Sequence, residues 1–182
     1  MELISKLKAV FGECKRESLC CAHKTSYEVI TDKNFFIFDD RTTELPVTVV
    51  GRMASHQLTV NNRNKNENEV CLVKTDKCLF ITDAHKKCDC ILFNTKKIFF
   101  VEISEASNAG KSQKRNHAIK QLGTTISLFK SGNVDISKYE AHAIICFKNS
   151  KNRPTQAGFN AKRENFRNTY KVFLDEINEI SF

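Results

Sequence analysis

The chain has 182 residues, with 29 Lys and Arg against 21 Asp and Glu, so it carries a net charge of +8. That length suits a single domain over residues 1–182 with a proper core. The opening residues lack the basic start, long apolar run and small-residue cleavage site of a secretory leader, and apolar runs such as Ile98–Val101 are far too short to cross a bilayer. The expectation is a soluble, cytoplasmic protein with no membrane partner.

Eight cysteines in a reducing compartment are usually small buried hydrophobes rather than disulfides. Cys88, Cys90 and Cys146 sit in apolar, strand-like runs. Cys14, Cys20, Cys21, Cys71 and Cys78 lack the paired spacing of a structural zinc site. The positive excess favours a polyanion such as nucleic acid, because docking cations release counterions from phosphates. A solvated basic surface gives the same composition.

Leu3, Ile4, Leu7, Val10 and Phe11 recur at helical spacing, predicting an amphipathic first helix that ends near Gly12 or runs on to about Ser18. Tyr27–Ile30, Asn34–Phe38 and Val47–Val50 read as short strands, and the Asn-rich stretch 61–69 as an exposed loop. Val70–Val73 and Cys78–Ile81 are two further strand candidates. Cys88–Phe93 and Lys97–Ile103 form two more, separated by Asn94-Thr95-Lys96. A helix over about Ser112–Lys130 carries an apolar stripe of Ala118, Leu122, Thr125 and Phe129, with Ile119 and Ile126. Gly123 within it points to close packing against a neighbouring element. Ala141–Phe147 is a β run, Ala161–Asn168 is helical, and Tyr170–Leu174 and Ile177–Phe182 are terminal strands.

The hairpin can be counted. A two- or four-residue loop pairs Phe93 with Ile98 and sets Asp89 directly opposite Glu102 on the same face; a three-residue loop would put them on opposite faces. Like charges in cross-strand register destabilise a sheet, so something must offset them. A hard divalent cation shared by both carboxylates would do so. The plainer alternative is two acids marking strand ends.

The order Asp89, strand, turn, Phe99-Phe100-Val101-Glu102-Ile103, helix with Ala118-Ile119-Lys120-Gln121-Leu122, strand resembles the core of the PD-(D/E)xK nuclease superfamily across residues 85–147. The resemblance implies an α/β fold: a restriction-endonuclease-like core, a mixed central sheet with flanking helices, and an N-terminal β-rich extension. It also implies phosphodiester hydrolysis with Mg²⁺ or Mn²⁺ held by Asp89 and Glu102, and a helical glutamine, Gln121, of RecB-like members. A place in microbial defence or repair would follow by analogy with the family. DNA is favoured over RNA as partner, and a homo-oligomer or a partner subunit fits the family equally.

The motif lysine is missing: its position is Ser104. Lys114, which shares a helix edge with Gln121, is the substitute that spacing suggests, ahead of Lys111 and Arg115. Lys86, Lys87, Lys111, Arg115 and Lys120 form the expected phosphate-contacting set. Among other residues weighed, Glu13 and Glu17 are ordinary helix acids, and His85 and His117 stay outside the catalytic set. The alternative to an active enzyme is a catalytically inactive nuclease-like module that binds nucleic acid or a protein partner.

Overall fold

The structure, a computed structural model, describes residues 2–14, 25–43, 45–52, 54–63, 69–80, 87–105, 110–147 and 156–182, with side chains from 158 in the last segment. Amphipathic α1 (Glu2–Phe11) buries Leu3 and Leu7. It ends where Gly12 takes a φ of 80°, a left-handed conformation in which glycine stops a helix at little cost. The strands β1 (Tyr27–Ile30), β2 (Asn34–Phe38), β3 (Thr48–Val50), β4 (Leu58–Asn61) and β5 (Val70–Lys74) follow. Then come β6 (Cys90–Phe93), β7 (Lys97–Ser104), α2 (Lys111–Ser131), β8 (Glu140–Phe147), α3 (Gln156–Tyr170), β9 (Phe173–Glu176) and β10 (Glu179–Ser181).

The fold is α/β. A six-stranded mixed sheet runs in the order β1-β5-β6-β7-β8-β9, and a four-stranded sheet in the order β10-β4-β2-β3. β5, β6 and β7 are antiparallel neighbours, whereas β8 joins β7 in parallel and β9 joins β8 in parallel. Those parallel steps need crossovers, which α2 and α3 supply. The larger sheet is covered on both faces. Ile91, Phe93, Ile98 and Phe100 pack with Leu122, Ile126 and Phe129 of α2. Leu92, Phe99, Val101 and Ile103 pack with Phe35, Ile37, Leu58 and Val60 of the smaller sheet. Double coverage is why β6 and β7 read as continuous apolar runs rather than alternating ones.

Tyr27–Ile30 and Asn34–Phe38 are strands as expected, and they belong to different sheets. Two expectations change. Leu58–Asn61 is a strand, and Asn61 and Asn62 at the head of the supposed loop are buried; residues 64–68 lie outside the described residues. Thr75–Leu79 is an irregular turn rather than the start of a strand, because Lys77 adopts a φ of 59° and breaks any extended run. Cys71, Cys88, Cys90 and Cys146 are fully buried, in keeping with core thiols. No helix among the described residues is long and apolar enough to cross a membrane.

Gly123 faces Tyr170 of α3. A Cβ there would meet the ring carbon Cζ at 2.6 Å, so close helix packing fixes this glycine. Alanine in a helix interior normally gains about 1 kcal/mol over glycine. Gly123→Ala will instead destabilise the protein by about 1–3 kcal/mol in urea denaturation, and Tyr170→Ala in the same chain will recover part of the loss.

His142 on β8 stacks between Phe99 and Phe173 and bonds Glu140 at 3.0 Å. The Asp175 carboxylate, then Glu140, hold its pKa above the ordinary value despite burial. A raised folded pKa stabilises the protein below the unfolded value and loses that contribution as pH rises through the folded one. Stability will therefore carry a downward step with rising pH from about 6.5. His142→Gln will flatten that step in denaturation curves measured between pH 5.5 and 8.5.

Candidate functional site

The β6–β7 turn sets the geometry. The Asn94 side-chain oxygen accepts the N–H groups of Lys96 and Lys97, at 2.9 and 2.8 Å, and the Asn94 N–H donates to the Lys97 carbonyl. This closes a four-residue loop and pairs Phe93 with Ile98 and Cys90 with Val101. The paired ladder ends there, with Asp89 and Glu102 the next residue along each segment and near enough for the Asp89 charge to act on Glu102. Alternation along β7 sends Glu102 to the helix-facing side with Phe100, while Asp89, beyond the end of β6, meets the charges of Asp39 and Arg41 from the loop after β2.

Asp89 is fixed from several directions. Its carboxylate accepts the Ile103 N–H at 2.6 Å. Its carbonyl accepts the N–H groups of Thr75 at 3.1 Å and Asp76 at 3.4 Å. Just before it, Gln121 Nε2 donates to the Lys87 carbonyl at 3.0 Å, and the Cys88 N–H donates to Thr125 Oγ1 at 3.0 Å. Thr75 Oγ1 donates to the Cys88 carbonyl. The face of α2 and the turn after β5 thus grip the chain that delivers Asp89.

Both carboxyl groups are buried, Asp89 at 5% and Glu102 at 4% exposure. Burial pushes the Asp89 pKa up to about 8, with Asp39 adding to the rise while the Ile103 N–H and Arg41 oppose it. Burial and then the Asp89 charge push Glu102 well above the carboxylate range. Oε2 of Glu102 is buried without a hydrogen-bond partner.

Among the described residues, a cation reaches this centre from the loop after β2. Arg41, in the loop after β2, donates to the Ile103 carbonyl, pairs with Asp39 at 3.2 Å and stands 4.0 Å from Glu102 Oε1. Asp39 also takes Lys77 Nζ at 3.1 Å, and Gln57 holds its backbone through both N–H and carbonyl, at 2.9 and 3.0 Å. Lys77, the positive-φ residue of the turn, stands at this centre, where strained backbone tends to collect. Ser104, buried at 4%, continues the Glu102 side of β7. Arg41 brings a charge to the neighbourhood that Ser104 leaves neutral.

Asp89, Glu102 and Gln121 therefore come together, Gln121 by holding the approach to Asp89. Lys114 and Lys120 are exposed on α2. Lys111 and Arg115 pair with the buried Glu176 of β9, at 2.9 and 2.7 Å, and sit over Phe147 and Phe159. Lys87 is buried at 2% exposure with its ammonium near the Phe80 ring. These three are thus structural cations here, drawn inward by partners the local sequence does not display. Lys86, His85 and Glu17 lie outside the described residues; Glu13 pairs with Lys8 at 2.6 Å. Asp39, Arg41, Asp76 and Lys77 escaped the sequence reading. The adjacent acid and base of Asp39-Asp40-Arg41 were the only local hint.

Among the described residues no group of three or more His, Cys, Asp or Glu side chains is arranged to hold a metal ion. The pair itself still suits a hard divalent cation. Mg²⁺ commonly takes one or two carboxylates and completes its shell with water and phosphate, and Glu102 Oε2 offers an uncommitted buried oxygen. Comparison with known proteins finds no matching family model, and neither a curated protein nor a solved structure with significant similarity to the chain.

Between the ordinary carboxylate range and about pH 8, the folded protein retains a proton at Asp89 that the unfolded chain releases. Stability contributed by this centre therefore falls as pH rises through that window. At pH 8, Asp89→Asn and Glu102→Gln will each raise the melting temperature in metal-free buffer. If the pair holds a divalent cation, Mg²⁺ or Mn²⁺ would raise that of the unsubstituted protein and leave both variants unmoved.

Proposed function

We propose that the protein is a metal-dependent nuclease with a restriction-endonuclease-like core, acting on DNA in preference to RNA. The observation that carries this reading is the burial of Asp89 and Glu102 side by side just past the β6–β7 ladder, with one glutamate oxygen unpartnered and both carboxyls held above their normal pKa. Such a pair is costly to maintain and becomes useful once a cation neutralises it. The unit β6–β7–α2–β8, an antiparallel hairpin followed by a parallel crossover, supports the PD-(D/E)xK reading, as does the position of Gln121.

Asp89 and Glu102 would hold Mg²⁺ or Mn²⁺. The bound ion supplies Lewis-acid polarisation of a phosphoryl oxygen and a lowered pKa for its water. The Ile103 N–H keeps one Asp89 oxygen oriented. Gln121 and Thr125 keep the preceding backbone from shifting, which preserves the spacing of the two acids. Arg41 takes the electrostatic duty that Ser104 cannot perform, presenting fixed positive charge to a phosphate that gains charge in the transition state. Asp39, held by Gln57, orients Arg41. Arg41 is preferred over Lys114 because it already stands beside Glu102.

A second reading has its own observation. A guanidinium 4.0 Å from Glu102 can serve as the permanent counter-ion of a site that has lost its motif lysine. The protein would then be an inactive nuclease-like module that binds nucleic acid or a partner subunit.

Incubation of labelled single- and double-stranded DNA and RNA with Mg²⁺ or Mn²⁺ separates the two. Cleavage is expected with the unsubstituted protein, and Asp89→Asn or Glu102→Gln will abolish it. Arg41→Ala will lower the rate by roughly 10²–10³, Lys114→Ala by far less. Salt-sensitive binding with no cleavage in either metal would establish the inactive module instead.

A further inference from the structure

We propose that the outer face of the four-stranded sheet is a platform for single-stranded nucleic acid, separate from the carboxylate centre. Pairing fixes which residues face outward. Phe36 lies opposite Val50 on one side and Thr59 on the other, and Thr59 lies beside Glu179 of β10. The alternate row, Phe35, Ile37, Leu58, Val60 and Ile180, is buried against the six-stranded sheet. The Phe36 row therefore points away from the molecule.

Over that row lies an open hollow of about 700 Å³. Among the described residues its lining includes Lys33, Arg52 and Arg63 with one acid, Asp32; all three cations are exposed, and Glu179 stands exposed at the β10 edge of the row. The Phe36 ring, part-exposed, packs against the His56 ring with centroids 4.5 Å apart. An aromatic surface within a ring of cations is what a flexible strand requires, because bases stack on the rings while phosphates meet the charges. A duplex conceals its base faces and gains nothing from Phe36. An acidic peptide would satisfy the cations but leave the rings unused.

Phe36 stands three residues before Asp39, about 10 Å of extended backbone away. A strand lying on this face thus approaches the loop that presents Arg41. Binding here needs no metal and does not rest on the nuclease reading, which is judged separately by cleavage in Mg²⁺ or Mn²⁺.

The test is fluorescence anisotropy with a labelled thymidine oligonucleotide in EDTA across a salt series. Each phosphate contact to a single strand contributes about 0.7 to the slope of log affinity against log salt. Arg52→Ala with Arg63→Ala should therefore reduce the slope by about 1.4 and weaken binding at least ten-fold, without changing the melting temperature. Phe36→Ala should weaken it roughly five- to thirty-fold. Phe36→Leu, which keeps the packing and removes the π face, should weaken it in the same direction. The proposal is overturned if the protein does not bind, if these variants bind as tightly as the unsubstituted chain, if duplex of equal length binds as well, or if polyglutamate competes as well as the oligonucleotide.

Discussion

Two carboxyl groups are buried near one another at the end of a β-hairpin, and the surrounding structure is organised to tolerate them. Desolvation disfavours their charged forms, and the repulsion of like charges adds to it. The protein answers in two ways. It keeps the pair protonated well above the usual pH, as the raised pKa values of Asp89 and Glu102 indicate. It also immobilises the backbone on which they stand. Residues 87–89 receive hydrogen bonds from, or donate them to, Thr75, Asp76, Gln121 and Thr125. If that segment were loose, the carboxyl groups would swing apart and solvate. The clamp makes separation more costly than protonation.

The second layer completes the centre. The smaller sheet shares an apolar core with the larger one through Phe35, Ile37, Leu58 and Val60, and that packing fixes where the loop after β2 emerges. Gln57 then ties down Asp39 by a two-way amide bridge, Asp39 holds Arg41 and Lys77, and Arg41 reaches the Ile103 carbonyl and Glu102. Packing between layers is thereby converted into the position of one guanidinium. Lys77 sustains a left-handed backbone in the same cluster, a cost met by its ion pair and by the closing bond from the Phe80 N–H to the Thr75 carbonyl.

What could be read from the sequence was local and periodic. Asn94 as a turn residue, with apolar runs on either side, marks the hairpin, while the loop length that pairs Phe93 with Ile98 rests on the Asn94 bonds to Lys96 and Lys97. The stripe on α2 and the crossover to β8 follow from helical spacing and from the order of elements. What could not be read was set by contacts between distant residues. Arg41 and Glu102 meet only because two sheets pack face to face. Lys111 and Arg115 look like surface cations until Glu176, far along the chain, arrives beside them on β9. Lys87 looks solvated until its backbone is seen gripped by Gln121. Leu58–Asn61 was masked by its polar end, and Asn61 is buried because its amide bonds Glu179 of the parallel β10 at 2.5 Å.

Under the proposed reading, a cation supplied by an arginine from another layer rather than by a strand lysine has a chemical consequence. A lysine at the Ser104 position would be a mobile point charge whose pKa falls on burial, and it could also carry a proton. A guanidinium is not a proton donor or acceptor in proteins, and the planar fork of Arg41 is already committed to Asp39 and the Ile103 carbonyl. It can stabilise charge but cannot exchange protons with water or a leaving group. Under the proposed reaction, proton movement would fall to solvent and to the carboxyl pair, whose pKa values lie far above those of exposed acids. Rate would then depend on pH chiefly through the protonation of Asp89 and Glu102, since only the ionised pair can hold a cation. The same burial that makes the pair costly to fold thus sets the pH at which it would become competent.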